Sequence, residues 1–396
     1  MKVLVLAWEF PPRLVGGIAR HVAELYPEIV KLNCEVHLLT VEVKDAPEYE
    51  IIEGIRIHRV AVAVGNDFFH WVANMNQSMG EYGGKLIQKE GNFALIHAHD
   101  WLVGDAAIAL KNCFKIPLIA TIHATECGRN NGIYHDGQKY IDYKEKSLVY
   151  NAWRTIVCSQ YMRYEVERVL QCPWDKIDVV YNGIRPEKKV RFEEDFERIA
   201  FRRRFARDDE RIIYYVGRMA YEKGISVLLD AAPKVLWEMG GKAKFVIIGG
   251  GNTDSLKQQI KDLGIWDRCY FTGFMTDEDL DKFQTIADCA VFPSLYEPFG
   301  IVALESFAAR VPVVVSNAGG LAEVVQHNKT GVVTHANDPD SLTWGILKVL
   351  KNPHYAQSLV ENAYNCLASR FSWDKLAEQT IAIYGRVIRE RSQVDW

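Results

Sequence analysis

No two of the chain's eight cysteines form a C-x-x-C pair; they are scattered as Cys34, Cys113, Cys127, Cys158, Cys172, Cys269, Cys289 and Cys366. That scatter excludes a zinc framework and a disulfide scaffold. Several of them sit in apolar strand-like runs, where a reduced thiol behaves as a small hydrophobe, so a reducing, cytoplasmic setting is expected. No run of about 18 apolar residues occurs, which excludes a spanning helix. No charged n-region or cleavage site precedes the first apolar segment at 3–8, and no signal peptide is expected. Charge of one sign is not in excess either. Lys and Arg number 47 against 51 Asp and Glu, and a net charge of −4 gives no reason to expect nucleic acid as a partner.

What is present is enough chain for two cores. A length of 396 residues fits two domains, and 48% hydrophobic with 25% charged content matches a globular enzyme. Short β-branched runs alternate with longer amphipathic stretches, the pattern of a doubly wound α/β protein. Strands are expected at 3–7, 36–40, 55–60, 95–98, 118–122, 155–158 and 177–180, then again at 212–216, 245–248, 269–271, 289–291, 313–315 and 331–333. The domains follow as 1–184 and 211–372. Between them, 185–210 is poor in apolar residues and reads as a connection with a solvated helix. Its Arg202-Arg203-Arg204 cluster is a candidate for anionic lipid, although the acidic neighbours Glu193, Glu194, Asp195, Glu197, Asp208, Asp209 and Glu210 favour a solvated face. The last segment, 373–396, opens with helical periodicity. Open α/β sheets bind ligands outside the carboxyl ends of their strands, so two such domains are expected to face one another across a cleft.

The chemistry concentrates in a few short stretches. In Ser294-Leu295-Tyr296-Glu297-Pro298-Phe299-Gly300-Ile301-Val302-Ala303-Leu304-Glu305, two carboxylates flank a Pro-Phe-Gly corner. The corner is expected to open a helix with Pro298 at its first position, where a missing N–H costs nothing. The N–H groups of Phe299, Gly300, Ile301 and Val302 would then face an acceptor-rich ligand. Glu305 would lie about two turns into the helix and present a second carboxylate to the same ligand. The plainer reading is a surface Glu297 and a salt-bridged Glu305. Arg218 and Lys223, five residues apart after a strand, can share a diphosphate, one as a planar fork and the other as a point charge. Gly16 and Gly17 stand at a helix entrance, where a backbone can approach a phosphate or simply turn. Gly249-Gly250-Gly251 follows another strand, but Asp254 stands where a dinucleotide fingerprint needs glycine. In His97-Ala98-His99-Asp100-Trp101 the two histidines share a strand face without a convincing third metal ligand nearby, and Asp100 can cap the following helix. His123 ends a further strand. Asp277-Glu278-Asp279 is formally D-x-D, but it follows Thr276 at a helix start, where capping explains it.

Taken together, these motifs resemble the retaining glycosyltransferases with two Rossmann-like domains (the GT-B fold), specifically family 4 and the related glycogen and starch synthases. Glu297 and Glu305 match E-x7-E, and Arg218 and Lys223 match R-x4-K. H-A-H-D-W matches the glycogen-synthase pattern, and His123 closes a T-x-H element. Asn182-Gly183-Ile184 matches N-G-[IV]-D, with Arg185 in place of the aspartate. The resemblance spans essentially the whole chain.

It implies retaining transfer of a hexosyl unit from a nucleotide-diphosphate sugar, UDP-glucose first, to a saccharide or lipid-linked glycan in polysaccharide biosynthesis. The catalytic set would be His123, Arg218, Lys223 and Glu297. Gly16, Gly17, Asn182, Gly249, Gly250, Phe274, Met275, Phe299, Gly300, Ile301, Val302 and Glu305 would complete the donor site. His99 and Asp100 would lie on the acceptor side, in the first domain, with the aromatic stretch 67–72 as a further acceptor candidate. The C-terminal helix would cross back onto the first domain. No metal and no cofactor are implied, and peripheral membrane contact on the cytoplasmic face is compatible. No residue stands out as a nucleophile, which favours front-face attack with the leaving phosphate as base. Two alternatives share the fold. A glycogen synthase would elongate glucan from ADP-glucose, but Leu14-Val15-Gly16-Gly17 lacks the lysine of K-x-G-G in those enzymes. A sugar-nucleotide 2-epimerase would consume donor without acceptor.

Overall fold

The structure, a computed structural model, describes residues 1–395. The chain divides into two units, Met1–Gly183 joined by the segment from Trp373 onward, and Ile184–Ser372.

The first unit is built on an eight-stranded sheet. Its strands are β1 (Lys2–Leu6), β2 (Glu35–Val41), β3 (Tyr49–Ile52), β4 (Ile55–Val60), β5 (Leu95–His99), β6 (Leu118–Ile122), β7 (Arg154–Val157) and β8 (Ile177–Val179), in the order β3-β4-β2-β1-β5-β6-β7-β8. All neighbours are parallel except β3, which pairs antiparallel with β4. Helices cover both faces of such a sheet, so its central strands are buried and mostly apolar; Val3, Leu4, Val5 and Leu6 of β1 are all fully buried, whereas β5 carries the buried His97 and His99. Strand order reverses at β1, between β2 and β5. The loops leaving β1 and β5 therefore diverge there and leave room for a ligand.

The helix Trp373–Arg391 belongs to this first unit. Its Trp373, Leu376, Ala377, Tyr384 and Val387 share one core with Val22, Leu25, Tyr26 and Ile29 of the helix Gly17–Lys31. Trp153 Nε1 donates to Glu390 Oε2 at 2.7 Å and ties its far end to the start of β7.

The second unit has six parallel strands, β9 (Arg211–Val216), β10 (Ala243–Ile248), β11 (Cys269–Gly273), β12 (Cys289–Phe292), β13 (Val313–Ser316) and β14 (Val332–Thr334). They run in the order β11-β10-β9-β12-β13-β14, the 3-2-1-4-5-6 arrangement of a dinucleotide-type sheet. Here the order reverses between β9 and β12.

Every strand expected from the sequence is present, with ends within two residues of the expected ones. The unexpected one is β3. Its Tyr49, Ile51 and Ile52 are exposed, so the backbone ladder to β4 holds it and no buried pattern announces it. The stretch 185–210 is also more than a connection. It is part of the second unit, where Lys189 pairs with Asp281 and Arg202 with Asp288 at 3.1 Å. Arg203 pairs with Asp208 at 2.6 Å, and the Arg204 guanidinium lies 5.0 Å from the Phe201 ring. The basic cluster is thus engaged by its own neighbours. Among the described residues no helix is long and apolar enough to cross a membrane.

Because the helix Trp373–Arg391 closes the first unit's core, truncating its buried Leu376 to alanine should cost that unit about 2–5 kcal/mol. Urea denaturation of Leu376→Ala against wild type measures the loss. An unchanged midpoint would mean the helix is an appendage.

Candidate functional site

Loops leaving β9 and β12 meet at the second unit's reversal point. After β9, Gly217–Ala220 leads into the turn Tyr221–Lys223; after β12, Pro293–Gly300 leads into the helix Ile301–Ala308. The two are stitched by backbone, since the N–H groups of Leu295 and Tyr296 both donate to the Glu222 carbonyl, at 2.8 and 3.1 Å. That register brings Lys223 Nζ to 2.8 Å from Glu297 Oε2, with both side chains mostly buried. Ser294 Oγ adds a longer contact of 3.4 Å to the same oxygen. Arg218 stays largely exposed and is held by Glu222 at 2.9 Å. Glu222 was not legible as a site residue, although its spacing from Arg218 is that of an i,i+4 pair.

The helix after the corner begins later than expected. Pro298 is not its first residue, because Gly300 is the N-cap, with φ +99°. A Cβ there would come within 2.5 Å of Leu321 Cδ2, so glycine is required twice over, by backbone and by space. Phe299 is buried against Phe371 at 6.2 Å between ring centroids, so its side chain serves the core. Ile301 and Val302 form the first turn, half-buried. Glu305 is the fifth helical residue, little more than one turn in rather than two, and is buried.

Gly249 and Gly250 follow β10 in the neighbouring loop. Gly249 has φ +137°, and an added Cβ would fall 1.9 Å from the Gly217 carbonyl oxygen. The close approach that needs glycine here is thus made by the chain itself. Gly250 accepts the Met219 N–H at 2.9 Å. Beyond β11, Phe274 is 78% exposed, a bare aromatic face at a strand's carboxyl end, with Met275 half-buried beside it.

In the first unit the Gly16/Gly17 entrance is arranged differently from the expectation. Buried Glu9 turns back on its own loop and accepts the N–H groups of Val15 (2.7 Å), Gly16 (2.9 Å) and Ala19 (3.3 Å). Of the amides expected to cradle a phosphate, that of Gly16 is therefore already taken by a carboxylate. Burial holds the Glu9 carboxyl above its ordinary range, against the pull of those three donors. Arg13, the cation nearest the missing lysine, lies over the Trp8 and Trp71 rings at 5.1 and 5.5 Å.

A chain of buried polar rings lies beside this loop. Tyr384 Oη and Tyr26 Oη meet His97 Nδ1 at 2.6 and 2.9 Å, and His97 Nε2 meets Thr121 Oγ1 at 2.7 Å. Tyr26 Oη also reaches His99 Nε2 at 2.8 Å, and His99 Nδ1 faces His123 Nε2 at 3.0 Å. His21 joins from the first helix, its Nδ1 2.7 Å from Asn182 Oδ1. That contact ties Asn182, at the end of the first unit's sheet, to the first helix. Burial keeps all four rings neutral: His21 and His123 are pushed down to about 3, and His97 and His99 fall well below their usual range. The period-two pair His97 and His99 does not act together as ligands, since His97 is consumed by hydroxyls. His21, His99 and His123 instead bring ring nitrogens within 4.8 Å of one another. His21 was missed because its neighbours in space lie far away in sequence.

Asp100 has the positive φ of +60° and caps no helix with its side chain. Its Oδ1 accepts the His123 N–H at 2.7 Å, clamping the turn after β6 to the end of β5. Burial raises its carboxyl to about 6, with the Arg129 cation and the His123 N–H opposing. A strained, buried acid at a strand end is the kind of feature that concentrates at functional sites. Nearby, Thr125 caps the helix Glu126–Asn130 and donates to buried Glu165 at 2.7 Å, while Glu145 accepts the Glu126 N–H at 2.9 Å. Asp277-Glu278-Asp279 opens the helix Asp277–Gln284 with Thr276 accepting the Asp279 N–H. The stretch 67–72 stacks Phe68 near Trp71 and edge-on to Trp101.

Comparison with known proteins shows the family of the chain. Residues 15–188 match the family model "Glycosyltransferase Family 4", and 197–366 match "Glycosyl transferases group 1". The chain is 38% identical over 388 residues to an uncharacterized glycosyltransferase of Methanocaldococcus jannaschii, covering 97% of this chain and 98% of the relative. It is 32% identical over 400 residues to a glycogen synthase of Mycobacterium tuberculosis, covering 97% and 94%. Among solved structures, the HepE protein of Anabaena, in complex with UDP and glucose, superposes with a TM-score of 0.75 at 18% identity, covering 98% of this chain and 100% of that one. At that identity the likeness speaks for the fold, which is GT-B.

Glu145 yields a pH test of the His123 turn. Burial, with the Asp100 charge adding and Arg129 opposing, holds its carboxyl well above the ordinary range. The unfolded chain ionises this group at about pH 4.3. The folded state then retains the extra proton, so this group's contribution declines as pH rises above that value. Glu145→Gln keeps an oxygen for the Glu126 N–H and removes the penalty. It should be more stable than wild type at about pH 7, with the gain vanishing below about pH 4. Denaturation curves at both pH values check it; a pH-independent difference would assign the effect to packing.

Proposed function

Because the chain belongs to the family 4 and group 1 glycosyltransferases, we propose that it moves a hexosyl unit from a nucleotide-diphosphate sugar, UDP-glucose first, to a saccharide or lipid-linked glycan with retention at the anomeric carbon. The observation that carries this reading is the Lys223–Glu297 pair beside Arg218, at the reversal point between β9 and β12. The UDP-bound state of the Anabaena neighbour supports a uridine nucleotide as the donor's handle.

The difficult event is departure of an anionic diphosphate from a sugar that becomes cation-like. Lys223 and the exposed Arg218 supply fixed positive charge for that leaving group, each worth about 2.7–4 kcal/mol when preorganised. Glu297, held by Lys223, orients the sugar hydroxyls. Glu305 takes the ribose, and Phe274 offers a ring to the base. Since Glu9 occupies the Gly16 amide, the leaving group depends chiefly on the two cations. His123, neutral and clamped through its backbone by Asp100, accepts or donates a hydrogen bond to the sugar without adding charge. The acceptor is handled by His99 and Asp100 in the first unit. With no nucleophile assigned, the leaving phosphate takes the acceptor's proton.

Arg218→Ala and Lys223→Ala should each lower turnover by about 10²–10³. Glu297→Ala should lose donor hydrolysis more than UDP affinity; equal losses would move Glu297 to the nucleotide. Because two cations already serve the diphosphate, activity should persist in EDTA, and NMR of the first-formed product should show the donor's anomeric configuration. An inverted product would overturn the mechanism.

The glycogen synthase relative favours a second reading, elongation of glucan from ADP-glucose. Against it, the lysine of K-x-G-G is missing and Arg13 is stacked on tryptophans. Incubation with ADP-glucose and glycogen beside UDP-sugars and short acceptors separates the two.

A further inference from the structure

His21, His99 and His123 come from three separate elements: the helix Gly17–Lys31, the end of β5, and the turn after β6. We propose that their three imidazoles form a site for a borderline-soft divalent cation, Zn²⁺ by preference, in the first unit.

Three histidine ligands with an open fourth position is a recurrent zinc arrangement, and imidazole suits Zn²⁺ better than the hard cations. The geometry meets the requirements one by one. The three ring nitrogens lie within 4.8 Å of one another. His99 Nδ1 and His123 Nε2 face each other at 3.0 Å, where two lone pairs must share either a proton or a cation. The outer nitrogens are held as in built metal sites. His21 Nδ1 points at Asn182 Oδ1 (2.7 Å), an oxygen that only accepts, so the proton sits on Nδ1 and the other nitrogen keeps its lone pair. His99 Nε2 is engaged by the Tyr26 hydroxyl at 2.8 Å. Partners of this kind fix the tautomer and orientation of ligating histidines. The backbone of His123 is pinned by Asp100, whose buried carboxylate supplies negative charge beside the site. A cation between His99 and His123 replaces the proton shared on the line between them.

The consequence rests on the sugar-binding role given to His123 above. A cation held there removes His123 from the donor sugar, so Zn²⁺ acts as an inhibitor of an enzyme that itself needs no metal.

The test uses the full chain with Co²⁺ as a spectroscopic probe and Zn²⁺ by calorimetry, without nucleotide. One Co²⁺ per chain, with the intense visible bands of low coordination number, is expected and should be displaced by Zn²⁺. His21→Leu should abolish these bands, whereas His70→Ala, on the surface, should leave them. Tyr26→Phe is nearly isosteric and removes the hydroxyl shared by His99 and His97 while leaving all three ligand rings in place, so it should weaken binding about 10–100-fold even if His21→Leu fails to fold. Absence of binding, weak bands of a six-coordinate ion, or affinity unaltered by Tyr26→Phe and by a folded His21→Leu would overturn the site. Zn²⁺ should also stop donor hydrolysis while leaving UDP affinity unchanged. Binding without any UDP-sugar activity would retain the metal site and discard the donor reading; sugar transfer indifferent to bound Zn²⁺ would discard the inhibitory role.

Discussion

Parallel strands covered by helices on both faces leave a chain few places to show polar chemistry. The central strands of both units are almost wholly buried, so most groups that can meet a ligand stand where a strand ends. Covered sheets of this kind open at the point where strand order reverses, and both units comply. Glu9, His99 and Asp100 follow or end β1 and β5; Arg218, Lys223 and Glu297 follow β9 and β12. The glycines at 217, 249 and 300 serve this constraint, letting loops approach one another at distances a side chain would forbid.

The two units handle charge in opposite ways. In the second, cation and carboxylate are paired: Lys223 with Glu297 and Arg218 with Glu222. Such pairs hold both partners in place until a ligand offers better ones, which suits a site for a diphosphate and a polyhydroxylated sugar. In the first unit, buried carboxyls at Glu9, Asp100 and Glu145 accept backbone N–H groups, and the histidines beside them are neutral. An apolar, neutral surrounding of this sort strengthens each hydrogen bond to a ligand and penalises any group left without one.

The C-terminal helix links these themes. Its Trp373 lies edge-on to His21, and its Tyr384 hydroxyl joins the His97–Tyr26 network, so residues nearly three hundred positions apart in the chain form one hydrogen-bonded core.

Strand positions were legible because they rest on local signals, β-branched runs bounded by turns, and the short fixed spacings put Arg218, Lys223, Glu297 and Glu305 on the two loops and the helix that follow β9 and β12. β3 escaped because an exposed edge strand has no apolar pattern. The start of the helix after Pro298 was misplaced because Gly300, not Pro298, stands at its N-cap in a left-handed conformation, with no room for a side chain beside Leu321. The sequence by itself determined which residue types stand at the strand ends. Only the tertiary structure decided what they touch. Glu9 takes the amide of Gly16, Asn182 is tied to His21, and His21 meets His99 and His123, all across separations where no periodicity operates and packing alone sets the distance.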